Sequence, residues 1–296
     1  MFRYPEISFQ NIPRAEEETD PYVAPSRPLY EIADASPLPH PGDKYRPGFL
    51  FAFSNDESAP YYIQTQARRG TKEFQEATNR VALLIGEGAL LPALQFIPEE
   101  TVIIGDCNPE MIEFMGKYLA ALHTAEHVED WHTAITNYLL SVDNRTLFDR
   151  QSTNMQVAQW RAQGVQHPLI SQEAYQVARE AAQKKAIIPW QLDLTDKSDL
   201  RYLGDTLRSV QANITFLNLT NVITYGVNFN SARECARLLS KTLPITPAAP
   251  ILTTSIRKSA KPIRRVPEYQ DYQVLGATGP FFGLANLAEN GSGYSK

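Results

Sequence analysis

Residues 80–111 read RVALLIGEGALLPALQFIPEETVIIGDCNPEM, two apolar runs separated by a glycine turn and a short helical segment. Residues 81–85 form an unbroken apolar run, the pattern of a parallel strand covered on both faces. Gly86-Glu87-Gly88 breaks that run, and residues 89–96 can make about two helical turns. Pro92 is tolerated because it falls in the first turn, where a missing N–H is not needed. Pro98-Glu99-Glu100 suits a loop, and residues 101–105 are a second buried strand with Asp106 at its C-terminal end.

A strand, a glycine turn, a helix, a second strand and an acid are the parts of a nucleotide-binding unit. Glycine lets a ligand approach backbone where a Cβ would clash, and a carboxylate after the second strand accepts both hydroxyls of a ribose. Gly86 and Gly88 by themselves fit a ligand-free strand-to-helix turn equally well.

The run Gly-Asp-Cys-Asn-Pro-Glu-Met at 105–111 resembles the segment after strand two in class I S-adenosylmethionine-dependent methyltransferases, where an acid and a following Asn/Ser-Pro-Glu-Met open the next helix. The resemblance implies an α/β, Rossmann-like methyltransferase fold with a mostly parallel sheet, helices on both faces and S-adenosylmethionine as cofactor. Asp106 takes the place of the ribose-binding acid, and Cys107 and Asn108 join the cofactor-binding set. Asn108 also caps a helix that begins at Pro109. The chain departs from the family at the first turn. Leu84 stands where an acid is usual and Leu90 where a third glycine is usual, so Gly86, Glu87 and Gly88 form the binding turn. Glu87 is the acid there that can pair with the cofactor's amino group, or else face solvent.

Further along, the same resemblance places Asp193 and Leu194, after strand three, against the adenine. Asn218, Asn221 and Tyr225, after strand four, fall where the family faces the transferred methyl. Asn218 belongs to the cofactor set, and Asn221 and Tyr225 are the expected catalytic pair. The plainer readings are that Asp193 caps the next helix, for which Asp196 or Ser198 is better placed, and that the amides satisfy loop backbone groups.

Around this core, residues 1–48 are dense in proline and acid, which predicts an extended arm. The Rossmann-like core spans 49–111 and 186–290, and 112–185 is a helical insertion or cap. The gap between the second strand and residue 186 far exceeds the dozen or so residues one crossover needs. Residues 49–53 are a short strand candidate, 74–80 a helix leading into strand one, and Tyr61, Tyr62 and Gln64 either lid residues or surface packing. Strands are expected at 186–191, 214–217, 250–256 and 272–277, and helices at 109–123, 127–140, 155–163, 172–184 and 231–243.

Composition narrows the class. The 296 residues carry 43% hydrophobic and 21% charged side chains and a formal charge of −5, an ordinary globular balance. That charge argues against a dedicated nucleic-acid binder, although Arg257, Lys258, Lys261, Arg264 and Arg265 make a local basic patch that suits a solvated loop or an anionic contact. Cys107 and Cys235 cannot build a disulfide framework, so a reducing, cytoplasmic setting is expected. No apolar run approaches a membrane span. His123 and His127 can share a helical face, but His132 lies off it and no Cys completes a zinc spacing, so no metal is expected. The motifs Gly-x-Ser-x-Gly, Gly-Lys-Ser/Thr of a P-loop and Cys-x-x-Cys are missing, leaving hydrolase, kinase and redox readings without carriers. Two rivals to a methyltransferase stand: a degenerate relative kept as a binding or interaction module, and an NAD-dependent oxidoreductase, which would want glycine where Leu91 is. The methyl acceptor, small molecule or protein, is not encoded in any motif.

Overall fold

The computed structural model describes residues 27–37, 72–86, 90–141, 157–158, 160–162, 164–219, 229–247, 249–257 and 269–276. Among the described residues six strands form one sheet: β1 (Arg80–Ile85), β2 (Thr101–Asp106), β3 (Ala186–Gln191), β4 (Asn213–Leu219), β5 (Pro250–Arg257) and β6 (Tyr269–Gly276), in the order β3-β2-β1-β4-β5-β6. The first five are parallel, and β6 pairs antiparallel with β5. The apolar runs expected to be buried strands are buried, with Val81 to Leu84 and Val102 to Ile104 fully enclosed.

Two apolar layers enclose the sheet because alternate strand residues point to opposite faces. On one face, Ala82, Leu84, Val102, Ile104, Ile187 and Phe216 pack under α3 (Leu90–Ala93), α4 (Pro109–Thr124), α5 (Val128–Ser141) and α6 (Gln172–Gln183). Aromatic contacts tie these helices together, with Trp131 5.0 Å from Tyr118 and 6.4 Å from Tyr175 between ring centres. On the other face, Val81, Leu83, Ile103, Ile188 and Trp190 pack under α1 (Arg27–Asp34), α7 (Lys197–Ser209) and α8 (Phe229–Thr242). Helices therefore cover both faces, and those between β2 and β3 share their core with the strands beneath them.

A register shift in the β1–β4 ladder, between Val81 and Ala82, re-aims Thr215. Its hydroxyl donates to Glu99 Oε1 at 3.1 Å, while Lys185 Nζ donates to the Glu99 carbonyl at 3.0 Å. Pro98-Glu99-Glu100 is a loop as expected, and Glu99 within it is fully buried at the N-terminal end of the sheet.

Two expectations are corrected. Within the arm predicted to be extended, Arg27–Asp34 is helical and Ile32 is fully buried in the core. Proline density misled because Pro28 sits in the first turn, where its ring fits a helix, and Pro37 lies beyond the end. Residues 74–80 are not one helix either: α2 is Lys72–Glu76, and Asn79 turns the chain into β1 with φ of 48°. A short polar side chain tolerates that left-handed backbone, and Asn79 Nδ2 donates to the Val210 carbonyl at 2.9 Å.

The residues after α1 also meet β3, the edge strand among the described residues. Along β3, the backbone groups of Ala186 and Leu192 face β2, so those of Pro189 face outward. Proline is acceptable there because the missing N–H would have had no strand partner among the described residues. Ser36 Oγ donates to the outward Pro189 carbonyl at 2.8 Å, which blunts the edge. The strand candidate at 49–53 and Tyr61, Tyr62 and Gln64 lie outside the described residues.

Candidate functional site

The strand order reverses direction between β1 and β4, and in open α/β sheets ligands bind beyond the carboxyl ends of the strands at such a point. Gly86 ends β1 there, with φ of 60° and its N–H donating to the Gly105 carbonyl at 2.9 Å. Asp106 ends β2 alongside. A Cβ built on Gly86 would lie 3.3 Å from Asp106 Oδ2, so the bare glycine backbone and the carboxylate are in near contact.

Asp106 is held from both sides of its own turn. Its Oδ1 accepts from the Asn108 N–H at 2.8 Å, and its carbonyl accepts from the Leu192 N–H at 2.9 Å. Burial pushes its carboxyl up to about 6, outweighing the Asn108 hydrogen bond, which lowers it. The carboxyl is thus harder to ionise than that of a surface aspartate. Asn108 caps α4, with Oδ1 accepting from the Glu110 N–H at 2.9 Å and Pro109 opening the helix, as its sequence predicts. Cys107 between them is exposed.

After β3, Asp193 Oδ1 accepts from Thr195 N at 2.8 Å and Thr195 Oγ1 at 2.7 Å. Asp196, not Asp193, caps α7 by accepting from the Ser198 N–H at 2.7 Å. The Asp193 N–H in turn donates to Asp199 Oδ2 at 3.0 Å, which fastens this loop to the first turn of α7. Leu194 points into the core rather than the edge. Asn218 is also fully buried, paired in register with Leu84 and Leu252. Gly86, Asp106, Cys107, Asn108 and Asp193 therefore belong to one edge, whereas Leu194 and Asn218 lie beneath it. Glu87, Gly88, Asn221 and Tyr225 lie outside the described residues.

Leu84 and Leu90 are both fully buried in one apolar layer. They leave no carboxylate and no glycine space at those two positions. One further polar residue, outside the expected site set, stands at the same edge. Gln191 ends β3 in register with Asp106 and is nearly buried. Its signal is a polar side chain closing an otherwise apolar strand at the ligand edge.

The residues present fit the nucleoside half of S-adenosylmethionine: a glycine that a Cβ would fill and a carboxylate beside it. A shallow groove lined by Val128, Glu129, His132, Thr133 and Leu169 lies elsewhere, at the first turns of α5. The chain reaches it only after α4 has run back along the sheet. Among the described residues no three His, Cys, Asp or Glu side chains converge as a metal would need, and no helix is long and apolar enough to cross a membrane.

Five parallel strands in this order, a reversed sixth strand and helices on both faces make a Rossmann-like α/β fold, the fold that the resemblance of residues 105–111 to class I methyltransferases implies. No protein-family model and no curated protein matches the sequence. Two solved structures of the rRNA methyltransferase aviRa from Streptomyces viridochromogenes are similar to it, each 15% identical over 88% of this chain and 95% or 94% of theirs, with TM-scores of 0.41 and 0.42. The strand order and the reversed β6, rather than that overlap, carry the fold assignment.

Proposed function

We propose that this chain is an S-adenosylmethionine-dependent methyltransferase. The observation that supports it is the contact between Gly86 and Asp106 at the switch point of the sheet. The glycine admits a ribose close to the backbone, and the ionised Asp106 accepts from its two hydroxyls. Asn108 fixes the carboxylate's orientation through its N–H, and Asp193 lies where the base would extend along the edge. When bound, the cofactor supplies an electrophilic methyl on a sulfonium. The protein's task is then to position an acceptor in line and to exclude water, which amides and aromatics such as Asn221 and Tyr225 can do without strong acid–base chemistry. On this proposal the segment 112–185 shapes the acceptor side of the site.

A second function is favoured by one specific observation. Leu84 and Leu90 are packed in the core, so the amino-acid end of the cofactor loses its usual contacts, and a nucleoside-binding module remains when Glu87 does not replace them. Calorimetry with S-adenosylmethionine, S-adenosylhomocysteine, adenosine and NAD separates the candidates. A methyltransferase binds the first two and not NAD, and Asp106→Ala weakens both by about 2–4 kcal/mol. Equal affinity of mutant and wild type removes the ribose assignment. Glu87→Gln weakening S-adenosylmethionine but not adenosine would identify the replacement acid. S-adenosylmethionine binding no tighter than adenosine leaves the binding module.

A further inference from the structure

The loop that carries Asp193 is stapled on both stems by the same short piece of chain. On the strand side, Ser36 Oγ donates to the Pro189 carbonyl at 2.8 Å, within β3 just before the loop. On the helix side, Tyr202 Oη donates to the Ala35 carbonyl at 2.8 Å. Tyr202 lies one turn beyond Asp199 on α7, and Asp199 is the residue whose carboxylate accepts from the Asp193 N–H. The Tyr202 ring also stands 5.9 Å from Trp190, which is buried in β3. Ile32 anchors the staple from the N-terminal side, fully enclosed in the same apolar cluster as Leu192 and Leu194, the two neighbours of Asp193.

The two stems can separate or slide only if these bonds break. A loop held at both ends presents its carboxylate in one place, whereas a loop free at either end samples several and loses affinity by the fraction of time it is misplaced. We propose that Ala35 and Ser36, at the end of α1, brace the β3–α7 loop and so position Asp193 for the base of a bound nucleoside, with Ser36 and Tyr202 as positioning residues. This rests on the nucleoside site proposed above. It gives the N-terminal segment a part in ligand selection, although that segment lies far from the glycine turn in sequence. By linkage, a ligand that engages Asp193 must tighten α1 to the same degree.

Adenosine and purine riboside, which lacks only the exocyclic amine, are the probes. The wild type should prefer adenosine, and Asp193→Ala should abolish the preference. The double variant Ser36→Ala, Tyr202→Phe removes both bonds but keeps the rings, so the fold is retained. It should cut the preference roughly three- to tenfold, the size expected for weakening one hydrogen bond, and should leave the ratio unchanged when made in the Asp193→Ala background. Loss of stability alone would weaken both ligands equally and leave the ratio untouched. An unchanged ratio in the double variant overturns the brace while the nucleoside site stands. A ratio insensitive to Asp193→Ala removes the base contact and the brace with it. Failure of the wild type to bind either probe overturns the nucleoside site itself.

Discussion

A methyl group on Gly86 would come within 3.3 Å of Asp106 Oδ2, and Gly86 holds a φ of 60°. Backbone and carboxylate thus stand side by side at the carboxyl end of the sheet. The geometry depends on Gly86 twice, once for the left-handed backbone and once for the space.

Gly86→Ala should therefore lose about 1–2 kcal/mol of stability from the left-handed backbone alone. It should also weaken adenosine, because the new methyl occupies the approach to Asp106. Urea unfolding and calorimetry on one preparation read both effects. Wild-type values in both would mean the turn is neither strained nor in the site.

Binding should depend on pH through Asp106. Its carboxyl titrates at about 6 in the folded protein, and only the ionised form accepts from both ribose hydroxyls. Adenosine affinity should be full above about pH 7 and fall as pH drops through 6, approaching tenfold per unit well below it. Asp106→Asn should flatten the profile. A wild-type profile flat from pH 5 to 8 would remove the carboxylate from the site.

The same group should make the ligand-free protein less stable at neutral pH. Burial raises its folded pKa above the ordinary value of 3.8, so the unfolded chain releases the proton first. The carboxyl's contribution to folding is present below 3.8 and is lost as pH rises through 6. Asp106→Asn should thus gain stability on the wild type between pH 4 and 7, reaching about 1–3 kcal/mol. Urea unfolding across that range gives the answer, and a gain that shrinks with rising pH would reverse the sign.

The N-terminal helix should behave as core rather than as a loose arm. Ile32 is fully buried, and Ile32→Ala should cost about 2–5 kcal/mol. A loss under about 0.5 kcal/mol, the level of surface substitutions, would mean that α1 does not hold the sheet.

Much of the sheet was legible because burial on both faces imposes continuous apolar runs on parallel strands. Residues 81–85, 101–105 and 186–191 show this directly, and β6 emerged as the closing strand expected from 272–277. Asn108 and Asp196 were legible as helix caps because a cap bonds only its near neighbours. The position of Asp106 at a strand end was equally local. Contacts between distant segments could not be read. That Asp106 faces Gly86 and is desolvated depends on β1 and β2 pairing in register, and that Asn218 is enclosed depends on β4 lying between β1 and β5. Glu99 looks like a loop acid until Thr215 arrives from β4. Arg27–Asp34 is too short and proline-flanked to declare itself by propensity, since a helix of that length forms only where tertiary packing supports it. The apolar runs of the buried strands, the helix caps and the acid ending β2 are local features, set by residues that neighbour one another in the chain. Which of those residues share an edge and which lie beneath it follows from strand pairing, burial and the docking of α1, all of which arise from contacts between residues far apart in the chain.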